Sequence, residues 1–451
     1  MKARPLLFLL LILLLSAPGF AVGSDVPEIW TARRAIAFAR QNSPDSQLVL
    51  QRMRQADALV QKAEVAFYPQ LALFGSYSQT NNPMHSFGNI LNQGEFTPAI
   101  DFNDPGRTDN LGVGVGVTYR FYNGGQDLAQ KKAAEAGVER SSAETDAVLL
   151  QLEFNVFQAF QRIVQSGQII QARQKALAAI SSSLAVARSR FDAGELFKHD
   201  VLNLEVEQSQ ATENLVQAQH DLEMAKRVFL ALLGLPGDDL QIANEDDEGP
   251  VLPSALDPAQ RPELKKLTAA VQAAESRLTA ARGSRLPTVD GFARYNYDQG
   301  WVLDGHGDSW MAGVNVNVKV FDGHQSAADI ALAEAQLGAL RAEQRKLELA
   351  LDLDVNQAKL ALDLARQRQQ VSRKMVEQAV ASERLTKARF DAGVLLVSEL
   401  IDSENRLTDA RVRHVLASSA VRVAIADLRR AVGLPQYPAD GNHHNSMEKQ
   451  P

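Results

Sequence analysis

The sequence predicts a mainly α-helical chain with a membrane β element. It is internally duplicated: long helices form an α-barrel, and four β-strands per chain close a 12-stranded β-barrel as a trimer. Three observations lead there. Arg190-Phe191-Asp192-Ala193-Gly194 recurs as Arg389-Phe390-Asp391-Ala392-Gly393, and Gly234-Leu235-Pro236 recurs as Gly433-Leu434-Pro435, both 199 residues later. A register kept from a turn to a stop signal marks a duplicated structural unit. Each repeat also holds a proline-free helical run of about 65 residues, roughly 100 Å of α-helix. Finally, two stretches per repeat switch from helical to period-two patterning.

The elements follow in order. Lys2 and Arg4 precede an apolar run from Leu6 to Leu15 and a small-x-small site at Gly19-Phe20-Ala21, so residues 1–21 read as a cleaved signal peptide, too short in its apolar part to span a bilayer. The first repeat occupies 22–234. A helix from about Glu28 to Val65 stops before Pro69, and a β-hairpin covers 68–122. Leu71, Leu73 and Tyr77 share one face of its first strand. In its second strand Leu111, Val113, Val115, Val117, Tyr119 and Phe121 oppose Gly112, Gly114, Gly116, Thr118 and Arg120. The connecting loop is rich in turn formers, Asn81-Asn82-Pro83 and Asp104-Pro105-Gly106.

Asn123 is a candidate N-cap for a long helix at 125–190. Leu149, Leu152, Val156, Ala159 and Ile163 form a heptad-like seam along it, kept in the second repeat by Leu351, Val355, Ala358 and Leu362. After the Gly194 turn comes a helix at 200–233. A polar linker, 235–262, carries Asp246-Asp247-Glu248-Gly249-Pro250. The second repeat, 263–435, has a helix to Arg282, a hairpin at 287–321, a long helix at 324–389 and a helix at 399–432. Val289, Phe292 and Tyr295 match Leu71, Phe74 and Tyr77, while Trp310, Ala312, Val314, Val316, Val318 and Val320 match the second strand. Pro69 and Pro287 are 218 residues apart, whereas later landmarks are offset by 199, so the difference lies in an exposed strand-to-strand loop of the first repeat. Residues 436–451 read as a disordered tail.

Cysteine is absent, which excludes a disulfide framework and lipidation at an N-terminal cysteine. Net charge is −7, more negative still without Lys2 and Arg4, and no basic patch marks a nucleic-acid partner. Strands of about ten residues match tilted membrane-spanning strands. Four cannot close a barrel, and open edges are not tolerated in lipid, so chains must associate; three copies supply twelve strands. Tyr119, Tyr295, Tyr297 and Trp310 are candidates for interfacial aromatic belts in contact with membrane lipid, or are aromatics of ordinary strands. No nucleophile, metal-ligand or phosphate-binding constellation marks an enzyme, and no cofactor is implied. His443-His444 lack a ligand framework, and His199 and His414 read as solvated. The rival reading is a periplasmic structural coiled coil in which the strands are mere loops.

The order helix, hairpin, long helix, Phe-Asp-Ala-Gly turn, helix, written twice over about residues 28–435, resembles the TolC-like outer-membrane efflux proteins (outer membrane factors). That resemblance implies a homotrimer in the outer membrane of a Gram-negative bacterium, with a helical tunnel into the periplasm. It implies a passive exit duct for efflux or type I secretion. Its partners would be a periplasmic adaptor (membrane fusion) protein and an inner-membrane transporter of RND or ABC type.

The two turns are the candidate site. Gly194 and Gly393 fit left-handed positions closing the long helices. Glu195, Leu196 and Phe197 follow the first, and Val394, Leu395, Leu396 and Val397 the second. Apart from Glu195 these residues are apolar, and they either pack the turn or form a sticky tip for a partner; the resemblance implies docking of the adaptor's helical hairpins. Asp200 and Glu399 stand six residues past their glycines, with Asp402 one turn beyond. They either cap their helices or, repeated around a narrow tunnel, form a cation-attracting constriction. The resemblance places Glu399 and Asp402 at the family's paired aperture acids and Asp200 near the same gate. It also reveals a departure. Phe390 and Leu395 stand where well-characterised members carry gate-closing tyrosine and arginine links, so apolar tip packing with protonation or cation binding at the acids is expected to hold this gate. The second repeat, more apolar and with two acids, is expected to govern it.

Overall fold

The computed structural model describes residues 27, 29–237, 240–243 and 249–437. The signal segment 1–21, Glu28, Asp246-Asp247-Glu248 and His443-His444 lie outside the described residues. In chain order the elements are α1 (Ala32–Asn42), α2 (Pro44–Glu64), β1 (Gln70–Thr80), α3 (Pro83–Asn92), β2 (Thr108–Asn123), α4 (Gln126–Asp192), α5 (Lys198–Leu233), α6 (Pro262–Gly283), β3 (Thr288–Gln299), β4 (His306–Asn317), α7 (Gln325–Asp391) and α8 (Val397–Ala431).

The long helices α4 and α7 each run 67 residues, about 100 Å of helix. Alanine, leucine, glutamine and arginine supply the propensity and no proline interrupts them. Matched residues start them: Asn123 Oδ1 accepts from the Asp127 N–H at 3.2 Å, and Asp322 Oδ2 from the Ser326 N–H at 3.0 Å. The heptad-like seam is buried in both repeats, at Leu152, Val156, Ala159 and Ile163 and at Leu351, Val355, Ala358 and Leu362. Midway along α4 the main core gathers Trp30 and Phe38, Val156, Phe157 and Phe160, and Phe229 and Leu233 of α5. Trp30 meets Phe38 edge-on at 5.3 Å between ring centroids.

The strands form one antiparallel sheet in the order β1-β2-β3-β4. The two hairpins are thus joined through β2 and β3, which the whole of α4, α5 and α6 separates in sequence. β1 and β4 keep a free edge each. The register puts the apolar sets on one continuous face: Leu73 opposes Val115, Val115 opposes Tyr295, and Tyr295 opposes Trp310. That face is largely exposed, including Leu71, Leu73, Val113, Trp310, Val314 and Val316. Tyr119 and Phe121 lie at its helix end, while Trp310, Tyr297 and Tyr77 lie about 14, 20 and 27 Å further along the strands at about 3.4 Å per residue. On the opposite face Phe74 covers Gly114 and Phe292 covers Gly313, matched pairs in the two repeats. A Cβ on Gly114 would fall 2.4 Å from the Phe74 ring, so glycine is what lets the ring lie flat across the strand. Among the described residues no helix is long and apolar enough to cross a membrane.

Several expectations need correction. The first helix breaks at Ser43, because Pro44 has no N–H and disfavours helical geometry before it. The loop after β1 contains α3: Asn82 and Pro83, read as turn formers, start it, with Asn82 Oδ1 accepting from the Met84 N–H at 3.1 Å. Val318 and Val320 fall past the end of β4, since its partner β3 begins at Thr288, just after Pro287. The 235–262 linker is not wholly solvated, for Leu240 is buried and Ile242 bridges Trp30. Gln436 is no disordered tail residue: its N–H donates to Glu153 Oε2 at 2.9 Å within the core.

A second cluster fastens α8 to α7. Arg430 makes a two-pronged contact with Asp354, at 3.0 and 3.1 Å, and Arg261 donates to the same carboxylate at 3.0 Å and to the Arg430 and Ala431 carbonyls. Burial works to raise the Asp354 pKa, but the Arg430 and Arg261 guanidiniums hold it below the ordinary value. An acid with a lowered folded-state pKa contributes stability above its unfolded pKa and loses it as pH falls through the folded one. Asp354→Asn should therefore cost about 2 kcal/mol at neutral pH, the range for a charge-assisted hydrogen bond. In thermal unfolding the gap to the native chain should close as the pH falls below the carboxylate range.

Candidate functional site

The functional candidates sit at the end of α4 and α7 farthest from the sheet. Each long helix closes in the same way. Gly194 (φ +79°) and Gly393 (φ +80°) take the left-handed conformation that lets the chain reverse. Their N–H groups donate to Phe191 O and Phe390 O, and the following Glu195 and Val394 N–H groups donate to Arg190 O and Arg389 O. The repeated Arg-Phe-Asp-Ala-Gly is therefore a helix-stop sequence.

The two turns do not stay separate. Phe390, Val397 and Leu400 of the second repeat are buried in one cluster with Leu184, Ala187, Val201 and Leu204 of the first, with Leu196 and Leu395 packed partly buried against it. Arg190 locks this joint. It donates through Nη1 to Phe390 O at 2.9 Å, pairs through Nε with Glu195 Oε2 at 3.2 Å, and lies 5.6 Å over the Phe390 ring. Sequence reading missed Arg190 as a site residue, although it is the first letter of the repeated motif. Phe390 has no hydroxyl to link to an acid, yet its backbone carbonyl receives an arginine from the other repeat.

The remaining tip residues divide by exposure. Phe197, Val394 and Leu396 stand out in solvent, Glu195 is exposed, and Val397 is buried inside the joint. Asp200 Oδ2 accepts from the Phe197 N–H at 3.4 Å, a capping contact at the start of α5. Glu399 holds the matching position on α8. It and Asp402 are exposed and make no hydrogen bond or ion pair among the described residues. The structure thus leaves the two second-repeat acids available and gives the first-repeat acid a local role. Among the described residues no group of three or more His, Asp or Glu could hold a metal ion.

The model of the outer membrane efflux protein family matches residues 35–235 and 254–434, both repeats of the chain. The chain belongs to that family. It is therefore an outer-membrane transport protein with a periplasmic extension and no catalytic chemistry. The outer membrane efflux protein BepC of Brucella suis is 26% identical over 390 residues, covering 84% of this chain and 80% of BepC. Protein CyaE of Bordetella pertussis is 26% identical over 426 residues, covering 90% and 85%. The fold is that of the Campylobacter jejuni CmeC outer membrane channel, with a TM-score of 0.78 at 15% identity over 89% of this chain and 85% of that one.

Removing the Arg190 side chain should loosen the joint without touching the sheet. In Arg190→Ala, amide hydrogen exchange should rise roughly ten- to a hundred-fold around residues 190–200 and 388–398, as for a loss of about 1.5–3 kcal/mol. Exchange in β2 and β3 should be unchanged.

Proposed function

We propose that three copies of the chain assemble into a channel-tunnel whose β-barrel has twelve strands, and that it serves as the passive exit duct of an efflux pump or type I secretion system. The observation that carries this reading is a mismatch between the repeats. Leu349, Leu360, Leu364 and Val371 of α7 are exposed, Leu349 to 68%, while their counterparts 199 residues earlier on α4 (Leu150, Gln161, Gln165 and Ala172) are buried, Leu150 to 7%. Within one chain the second repeat covers that face of α4. The same face of α7 is more apolar and is uncovered among the described residues, which fits cover by the first repeat of another copy. The free edges of β1 and β4 point the same way, since an unpaired edge cannot be left in hydrocarbon. The rival, a soluble structural rod, gives no reason for a sheet with an exposed apolar face flanked by aromatic residues.

Around the tunnel axis, Glu399 and Asp402 of three copies form a ring of six carboxylates at the periplasmic mouth. Such a ring concentrates cations and gives the aperture its selectivity. Asp200 stands near the same gate, while Phe390 and Leu395 close it by packing. The exposed Phe197, Val394 and Leu396 at Gly194 and Gly393, with Glu195 and Leu196 beside them, form the docking surface for a periplasmic adaptor. An inner-membrane transporter of RND or ABC type drives transport through that adaptor.

Single-channel recording of the Glu399→Ala/Asp402→Ala variant in planar bilayers tests the gate. Cation preference and block by divalent cations should both be lost. A variant with native selectivity and native block removes the acids from the gate, and a chain that forms no channels removes the duct.

A further inference from the structure

The duplication carries a more specific conclusion about the tip, which rests on the trimer reading above. If a neighbouring copy continues the ring, each contact from first to second repeat inside a chain has a counterpart from second repeat to the first repeat of the next. The residues at those counterpart positions are on the page and they differ in character. Inside the chain the joint holds Leu184 and Leu204 from the first repeat against Phe390 and Val397 from the second. Offset by 199, Leu184 becomes Glu383 and Leu204 becomes Ser403, while Val397 becomes Lys198 and Phe390 becomes Phe191. Leu184 and Val397, two apolar members of that cluster, are thus replaced by an acid and a base at once.

Three observations on the single chain fit that exchange. Lys198 is exposed and forms no ion pair among the described residues. Glu383 lies beside Glu404, which is only 4% exposed and whose Oε1 has no hydrogen-bond partner; the Oγ of Ser403 is likewise unpartnered. Burial first, and Glu383 second, raise the Glu404 pKa, with Lys387 of α7 and Arg411 of α8 as the opposing charges. The counterpart of Glu404 in the first repeat, Glu205, instead has its own partner, Arg188 at 2.8 Å. Neither Glu383 nor Glu404 has an ion-pair partner within 4 Å among the described residues, although Lys387, at the position matching Arg188, is near.

The third observation concerns the arginine. A Cβ on Gly393 would meet the Arg190 guanidinium at 2.9 Å, so that glycine forms its seat. Gly194 has open space at the matching point, Phe191 is 39% exposed where Phe390 is 1%, and Arg389 is exposed without a partner among the described residues. Seat and arginine are both present, and neither is engaged among the described residues.

We propose that adjoining tips are held together by an ion pair between Glu383 and Lys198 of the partner subunit and by Arg389 seated over Gly194 and Phe191 of the partner subunit. The closed ring then alternates apolar joints within subunits with charged joints between them. The charged joints are the ones that salt screens, so they open first.

The chain has no cysteine, so thiols placed at two positions are the only ones present. The purified full-length Lys198→Cys/Glu383→Cys protein, treated with a short bifunctional thiol reagent, should give covalently linked trimers on denaturing gels. Native mass spectrometry of the untreated protein reads the copy number separately. A monomer there overturns the trimer reading, whereas a trimer without cross-linked species overturns the tip contact alone. In bilayers Lys198→Glu should lose the low-conductance closed level and Lys198→Glu/Glu383→Lys should regain it. Failure of the double reversal to restore closure would also overturn the ion pair.

Discussion

A β-sheet edge in hydrocarbon leaves every second backbone N–H and C=O without a partner, at a cost of several kcal/mol for each group. That constraint governs this chain more than any side chain does. Its four strands form one sheet with an exposed apolar face, yet β1 and β4 end that sheet with open ladders. The helices carry the same incompleteness down their length, because the α7 face that matches the covered face of α4 is bare. A duplicated chain of this kind is half satisfied by its own second repeat, and the proposed assembly with further copies supplies the rest.

Duplication also explains how one short motif serves two ends. Arg-Phe-Asp-Ala-Gly stops a 67-residue helix in each repeat through the same pair of backbone hydrogen bonds. Once the helix is stopped, the side chains are free to diverge. In the first copy the arginine crosses to the second repeat and its phenylalanine stays partly exposed. In the second copy the phenylalanine is buried and the arginine faces outward. Asp200 caps its helix while Glu399 and Asp402 are left unengaged, so the gate role proposed for the second repeat draws on residues that the turn does not need.

Much of this was legible in the sequence, since it depends on period and register. Alternation from Leu111 to Phe121 and the constant 199-residue offset needed no contact to be known. What stayed hidden depends on three-dimensional neighbours. Asn82-Pro83 serves equally as a turn or a helix start, and only the packing of α3 beside β2 selects the latter. Gln436 looks like the start of a polar tail until its N–H meets Glu153, 283 residues earlier in the chain. At the tip, the sequence brought forward Phe390 and the acids but not Arg190, whose role is set by a contact between repeats. The Phe74–Gly114 and Phe292–Gly313 pairings rest on a strand register that alternation alone does not set.

In the proposed trimer the free edges of β1 and β4 pair with each other across subunits and close the barrel. Backbone hydrogen exchange of the full-length protein in detergent reads this directly, strand by strand. If the barrel closes, the amides of β1 and β4 exchange as slowly as those of the interior strands β2 and β3. If β1 and β4 exchange orders of magnitude faster, their edges are open and the account fails.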